Sequence, residues 1–164
     1  MKLGILSDTH NNITNILLAV EIFRQNGVET IIHCGDLTDP DSIWLFADFR
    51  LIFVFGNMDF SSATITMNIQ SLNLDNVAVN IFQGQVDGKS IAVVHGHVPG
   101  YIYDLARKGT FDYVFHGHTH VQRHEKIGTT TVINPGPLGG KNAQSASVCI
   151  IDLSTDQVVF INIS

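Results

Sequence analysis

Histidines are clustered at two places in this chain of 164 residues. Residues 116–120 read HGHTH, and residues 95–97 read HGH. In an extended chain the side chains at positions i and i+2 lie on the same face, so His118 and His120 can converge on one point. Imidazoles that converge in this way are typical of a site for a divalent transition metal.

Oxygen donors follow other strand-like runs of the sequence. Asp8 and His10 belong to the segment DTH, Asp36 to a GD pair, and Asn57 to a GN pair. In an open α/β sheet, ligands collect beyond the carboxyl ends of the strands, which is where these residues are predicted to lie. The candidate metal ligands are therefore Asp8, His10, Asp36, Asn57, His95, His118 and His120.

Each of these residues also has a structural interpretation when it is taken alone. Asp8 and Asn57 are common turn residues, and Asp36 could cap a helix before Pro40. A histidine after a strand is usually hydrogen-bonded or on the surface. That five separate strand ends acquire such groups by accident has a chance of about one in twenty. Carboxylate, amide and imidazole donors without thiolate suit first-row divalent metals, and seven of them would serve two ions.

Short apolar runs rich in β-branched and aromatic residues must position these side chains, and all but the last are followed within two residues by glycine, asparagine or aspartate. The predicted strands are Leu3–Leu6, Thr30–His33, Leu51–Phe55, Val77–Phe82, Ser90–Val94, Tyr113–Phe115, Thr130–Ile133, Ala146–Ile151 and Val158–Ile163. Strands alternate with helices in the first half, which favours parallel pairing. After about residue 77 they follow one another through turns such as 86–89, which favours hairpins. The prediction is one mixed, layered α/β domain over residues 1–164.

Three helices are predicted. The first begins at a cap on Asn11 or Asn12 and ends at Gly27. Its apolar face is predicted to consist of Ile13, Ile16, Leu17, Val20 and Phe23. The second follows Pro40 and includes Ile43, Trp44 and Ala47, and the third runs from Tyr101 to Lys108. Residues 59–74 and 98–109 are expected to supply loops that shape a substrate pocket.

Composition excludes several classes of protein. The net charge is −6, and the nine Lys and Arg residues form no basic run, which argues against a long nucleic-acid groove. No stretch approaches the roughly 20 apolar residues of a membrane span, and the start has too short an apolar run for a secretory signal. Cys34 and Cys149 lie in apolar segments and are expected to be buried free thiols. A cytoplasmic protein fits these features best.

Read in order, the motifs DTH, GD, GN, HGH and GHTH resemble those of the calcineurin-like metallophosphoesterase superfamily. The chain length and the NPG at 134–136 are most similar to its short bacterial and archaeal phosphodiesterases. The resemblance covers nearly the whole chain. It implies a four-layer αββα sandwich of two mixed β-sheets flanked by helices, with a binuclear metal site at its edge.

The resemblance also implies a role for each candidate ligand. Asp8, His10 and His120 would hold one metal ion, while Asn57, His95 and His118 would hold the other. Asp36 would bridge both ions, and Asn57 and His95 would lie nearest the reacting phosphoryl group. The two divalent ions are expected to be Mn²⁺, although Zn²⁺, Ni²⁺, Co²⁺ and Fe²⁺ also suit these donors.

The remaining histidines and two departures from the family pattern bear on the site. His97 is a candidate for contact with substrate, whereas His116, His33 and His124 are expected to be structural or ordinary histidines. Where many larger members carry a histidine after the GN asparagine, this chain has Met58, which cannot transfer a proton. Pro137 stands where relatives commonly carry a hydroxyl residue.

The function implied is hydrolysis of small phosphodiesters by a hydroxide that bridges the two metals. Two divalent ions, two aspartates and a hydroxide leave a net charge of about +1, which suits a singly charged diester better than a doubly charged monoester. Arg123 and Lys141 are only sequence neighbours of the motifs. Two other functions stay open: a catalytically weak scaffold, as the same fold provides in the eukaryotic retromer complex, and a nuclease. Tyr101 and Tyr103 could form a homo-oligomer contact or belong to the core.

Overall fold

Two mixed β-sheets lie face to face between layers of helix in the computed structural model, which describes residues 1–140 and 146–163. The strands are β1 (Lys2–Leu6), β2 (Thr30–His33), β3 (Arg50–Val54), β4 (Val77–Val79), β5 (Phe82–Val86), β6 (Lys89–Val93), β7 (Tyr113–Phe115), β8 (Arg123–Ile127), β9 (Thr130–Asn134), β10 (Ala146–Asp152) and β11 (Gln157–Ile163). The helices are α1 (Ile13–Gln25), a 3₁₀ helix (Pro40–Phe46), α2 (Ser62–Leu72) and α3 (Tyr101–Arg107).

The order of the strands follows from their connections. The first sheet runs β11-β10-β1-β2-β3-β4, and the crossovers through α1, the 3₁₀ helix and α2 make β1 to β4 parallel. The second sheet runs β5-β6-β7-β9-β8 and combines parallel and antiparallel pairs. Asp87 and Gly88 both have positive φ in the β5–β6 turn, as the tightest hairpin turns require.

Three hydrophobic cores separate the four layers. Ile16, Phe23 and Ile69 pack helices against the outer face of the first sheet. Residues of both sheets, such as Ile5 and Phe115, fill the core between them. A smaller core holds α3, through residues such as Leu105, against the outer face of the second sheet. The predicted αββα sandwich is therefore confirmed.

Helix α1 begins where the cap of Asn12 predicts, because its side chain accepts a hydrogen bond from the backbone N–H of Asn15 at 3.1 Å. Its buried face is narrower than predicted. Ile13 and Leu17 are 41% and 50% exposed, because the stripe that meets the sheet is centred on residues such as Ala19. The helix after Pro40 is a 3₁₀ helix, with Trp44 on its exposed side.

Three local predictions were wrong. The run Val77–Phe82 is two strands, β4 and β5, which belong to different sheets, because the chain crosses between the sheets at residues 80 and 81. The segment predicted as a loop over residues 59–74 contains α2, which buries Ile65 and Ile69 one turn apart. Strand β8 was missed because its residues are polar and lie on a sheet edge, where charged side chains are common.

Both cysteines are free and buried, as predicted. Cys34 and Cys149 lie in the core between the two sheets. In the part of the chain that the structure describes, none of the helices has the length and apolar character needed to cross a membrane.

Candidate metal centre

The candidate ligands follow strands whose carboxyl ends meet. Strands β1, β2 and β3 are parallel neighbours, so the loops after Leu6, His33 and Val54 emerge at one edge of the first sheet. Strands β6 and β7 are parallel neighbours in the second sheet, where Val93 pairs with Phe115. The loops that carry the two histidine clusters therefore emerge side by side.

Hydrogen bonds join these loops to one another. The N–H of Asp8 donates to the carbonyl of Gly35 at 2.9 Å, and the N–H of His10 donates to the carbonyl of Asp36 at 3.0 Å. The N–H of His118 donates to Oδ2 of Asp8 at 3.0 Å and so links the two sheets. The site is thus held by the backbone and does not depend on its side chains alone.

Five of the candidate ligands bring their donor atoms together. Nε2 of His120 lies 3.4 Å from Nε2 of His10 and 3.2 Å from Oδ1 of Asp8. Oδ2 of Asp36 lies 3.4 Å from Nε2 of His95 and 3.9 Å from Nε2 of His10. Asp8, His10 and His120 form one group of donors within 4.8 Å of one another, and Asp8, Asp36 and His95 form a second. Asp8 belongs to both groups, which its sequence position alone did not indicate.

The distances between these donor atoms are those expected when the donors bind the same metal ion. Donors bound to one ion at about 2.1 Å lie roughly 3.0–3.5 Å from one another, which matches the three shortest distances. Oδ1 of Asp8 and Nε2 of His95 are buried and have no hydrogen-bond partner of acceptable geometry among the described residues. Buried polar atoms are otherwise nearly always satisfied, so a cation is the partner that this arrangement suits.

The orientation of His95 is fixed from its far side. Nδ1 of His95 lies 2.8 Å from the carbonyl oxygen of Cys34, which can only accept, so Nδ1 carries the hydrogen and Nε2 is directed at the site. Burial opposes a charge on His95, yet the adjacent Asp36 carboxylate raises its pKa above the ordinary value. The pKa of Asp36 is lowered in turn, because His95 outweighs the effect of burial. The space between the His95 imidazole and the Asp36 carboxylate therefore favours a positive charge.

The other two candidate ligands lie at the rim. The ring centre of His118 is 5.1 Å from that of His95, and the residue is exposed. Asn57 is also exposed, and its turn is tied to the site by Met58, whose N–H donates to Oδ1 of Asp36 at 2.8 Å. Neither donor group contains His118.

Strained backbone is concentrated in the candidate ligands. Five of the seven adopt positive φ angles, between 42° and 68°, which only glycine adopts freely. Such angles persist where surrounding contacts enforce them, and they cluster at functional sites. The five residues are Asp8, His10, Asp36, His118 and His120.

Asp59 anchors the loop that carries Asp36. Its carboxylate accepts hydrogen bonds from the backbone N–H groups of Asp36, Leu37, Thr38 and Gly56 at 2.8–3.0 Å. Asp59 therefore fixes the backbone of two loops of the site. A Cβ on Gly56 would overlap the Asp36 carboxylate, which explains the glycine of the GN pair.

Two buried residues, His33 and Asn134, support the ligand loops through contacts that the sequence did not indicate. Nδ1 of His33 accepts from the N–H of Gly35 at 3.1 Å, and its Nε2 lies 3.2 Å from Oγ1 of Thr9. Nδ2 of Asn134 donates to the carbonyl of Gly117 at 2.9 Å and to Thr119 Oγ1 at 3.0 Å. The asparagine of the NPG motif was the available signal for the second contact.

His116 is buried like a structural residue. Its Nδ1 lies 3.0 Å from the carbonyl of Gly117, and burial lowers its pKa to about 4. His97 is exposed, with its ring centre 5.6 Å from that of His95. Tyr101 packs on the core beneath α3, whereas Tyr103 is 45% exposed and lies against the guanidinium of Arg123.

A four-layer sandwich with adjoining carboxylate and imidazole donors at its edge defines the class of the metallophosphoesterases. The chain belongs to the calcineurin-like phosphoesterase superfamily, whose domain profile matches residues 1–156. It is 32% identical to a phosphodiesterase of Methanocaldococcus jannaschii over 157 residues, which are 93% of each chain.

Solved structures share the fold of this chain. One that was described as a novel archaeal phosphodiesterase superposes with a TM-score of 0.95 at 31% identity, over 99% of this chain and all of that chain. Vps29 of Chaetomium thermophilum superposes with a TM-score of 0.71 at 13% identity, over 99% of this chain and 95% of that chain. At such low identity the likeness to Vps29 concerns the fold alone.

Proposed function

We propose that the protein hydrolyses small phosphodiesters at a binuclear divalent-metal centre. The observation that carries this proposal is the position of Asp36. A single oxygen of its carboxylate, Oδ2, lies close to Nε2 of both His95 and His10, which come from opposite sides of the site. An oxygen in that position can serve two ions at once.

The family resemblance implies how the ligands would divide between the ions. Asp8, His10 and His120, which form one donor group, would hold one ion. Asn57, His95 and His118 would hold the other, with Asp36 shared. When bound, the pair of ions would supply Lewis acidity and a bridging hydroxide for in-line attack on phosphorus. Mn²⁺ is the ion we propose, on the basis of the family resemblance.

The residues of the chain orient the reaction. Water and a diester yield a monoester and an alcohol: one P–O bond forms to the attacking oxygen, one breaks to the leaving oxygen, and the leaving oxygen gains a proton. Asn57 and His95 would lie beside the phosphoryl group, with the imidazole of His95 held in place by Cys34. Met58 offers no proton to the leaving oxygen, so the proton would come from solvent or from another residue.

The charges around the site support a diester over a monoester. Nε of Arg123 pairs with Glu125 at 3.1 Å and the guanidinium lies against Tyr103, so part of its charge is offset before a second phosphate charge is present. Lys141 lies outside the described residues. The net charge of −6 also disfavours a polymeric nucleic acid. Cys34 and Cys149, both buried and unpaired, support the expectation of a reducing compartment, the cytoplasm.

The experiment is hydrolysis of bis(4-nitrophenyl) phosphate with added Mn²⁺. We expect turnover by the wild-type protein and a loss of at least about 100-fold in Asp8→Asn, which removes a ligand charge but keeps the side-chain size. Asp75→Asn is the matched control, since Asp75 is exposed and outside the site. Full turnover by a folded Asp8→Asn protein would contradict the proposal. A wild-type protein that binds metal without turnover would favour the scaffold alternative.

A further inference from the structure

An apolar pocket adjoins the candidate metal centre. It has a volume of about 310 Å³ and opens beside His95 and His97. One wall comes from residues 80 and 81, where the chain crosses between the two sheets, and the other comes from Val98 and Tyr101 at the start of α3. The pocket is therefore continuous with the place where the reacting phosphoryl group would lie.

The walls of this pocket expose apolar side chains to water. Ile81 is 42% exposed and Val98 is 51% exposed, and the two belong to separate loops that face the same space. Covering such side chains with an apolar ligand is favourable because it removes apolar surface from water. Concave apolar surfaces next to a few polar groups are the usual form of a small-molecule site.

Charge and size limit what the pocket can hold. No Asp, Glu, Lys or Arg among the described residues lines it, so its lining offers no fixed counter-charge and favours an uncharged group. A dry cavity of about 150 Å³ accepts benzene. The volume of 310 Å³ is therefore enough for a substituted aromatic ring or a ring system of similar size.

We infer that this pocket binds one of the two ester substituents of the substrate, and that this substituent is an uncharged, largely apolar ring. The inference rests on the proposed function, because it places the phosphodiester at the adjoining metal centre. The ring would lie against Val98 and Ile81, with the planar side chains of His97 and Tyr101 at its edges. Diesters with small alkyl groups would leave these walls exposed and bind more weakly.

The test compares two singly charged phosphinates, diphenylphosphinate and dimethylphosphinate, as ligands of the Mn²⁺-loaded protein, because their P–C bonds are not hydrolysed during the measurement. Calorimetry gives both dissociation constants, with the weaker ligand measured by displacement. The pocket variant is the double substitution Val98→Ser and Ile81→Ser. Val159→Ser on β11 is the control, since Val159 is also 42% exposed but lies away from the pocket.

Wild-type protein is expected to bind diphenylphosphinate at least about tenfold more tightly than dimethylphosphinate. The ratio of the two dissociation constants should fall to about threefold or less in the double variant and stay unchanged in Val159→Ser. A ratio near one in wild type, or a ratio unaffected by the double substitution, would overturn the inference. Binding does not require turnover, so the two proposals can be tested separately. A preserved ratio of the dissociation constants without any hydrolysis would refute the proposed function alone. Hydrolysis with a ratio near one would refute the proposed role of the pocket alone.

Discussion

Nε2 of His10 lies 3.4 Å from Nε2 of His120, although 110 positions separate the two residues in the chain. Two imidazole lone pairs at this distance repel each other unless a proton or a cation lies between them. Oδ1 of the buried Asp8, 3.2 Å from Nε2 of His120, adds a negative charge on the same side. The fold thus brings together two imidazoles and a carboxylate that a bound cation would stabilise.

The buried His33 predicts how stability depends on pH. Burial lowers the pKa of His33 to about 3, below its value of about 6.5 in an unfolded chain. The unfolded chain therefore binds a proton at His33 that the folded protein does not. The stability that the neutral His33 contributes is fully present above about pH 6.5 and is lost as the pH falls towards 3. We expect His33→Gln to reduce the slope of unfolding free energy against pH, between pH 6 and 4.8, by about 1.4 kcal/mol per pH unit.

Urea unfolding of the metal-free protein measures this slope. Glutamine can still accept from Gly35 and donate to Thr9, so the folded loop is retained while the titration is removed. His124→Gln is the control, because His124 is exposed, and the difference in slope between the two variants isolates the effect of the buried position. Equal slopes for His33→Gln and wild type would show that His33 is not held neutral by burial.

Asp59 provides a prediction about the loop that carries Asp36. Asp59→Ala would leave four backbone N–H groups without their acceptor, including those of Asp36 and Gly56. We expect a loss of about 2–4 kcal/mol in unfolding free energy without metal, because buried donors without partners are costly. Urea titration measures the loss, with Asp75→Ala as control. A change below about 0.5 kcal/mol, the range of ordinary surface substitutions, would contradict this role.

The cysteines are expected to be unreactive in the folded protein. Burial raises the pKa of the Cys149 thiol to about 12 and also raises that of Cys34. Since the thiolate is the reactive form, Ellman's reagent at pH 8 should detect both thiols only after unfolding in guanidinium. Rapid modification of either thiol in the native protein would show that the core between the sheets is open to solvent.

Met58 predicts a steep dependence of rate on the leaving group. It occupies the position after Asn57 and cannot donate a proton, so the leaving oxygen must depart with most of its negative charge. We expect aryl diesters to react much faster than alkyl diesters, with kcat/KM falling steadily as the pKa of the leaving alcohol rises. A flat dependence, with chemistry limiting the rate, would mean that another acid acts, and His97 would be tested first by His97→Gln.

Parts of the fold could be predicted because local sequence determined them. The cap at Asn12 and the turn at Asp87 and Gly88 depend on side chains and glycines at fixed positions, and both are where the sequence places them. The split of Val77–Phe82 between two sheets could not be read from a continuous β-branched run, because the choice of partner strand is a long-range property. The spacing of Ile65, Ile69 and Leu72 did carry a helical signal for α2, which β-branched neighbours obscured.

Some features of the candidate site could likewise be predicted from the sequence, and others could not. The types of the ligands and their placement after strands follow from motifs in the sequence, whereas the supports are contacts to the backbone, which no motif specifies. Asp59 binds four amides of two loops, and Asn134 binds the carbonyl of Gly117. The role of Asp8 in both donor groups likewise arises only from the packing of one sheet against the other.

The central claim is that one carboxylate, Asp36, is shared by two metal ions, and a crystal soaked in Mn²⁺ tests it most directly. Anomalous difference density should show two peaks about 3.5–4 Å apart. One peak should lie among Asp8, His10 and His120, the other beside His95, and Asp36 should lie between them. A single peak at full Mn²⁺ occupancy, or two peaks that Asp36 does not join, would contradict the account.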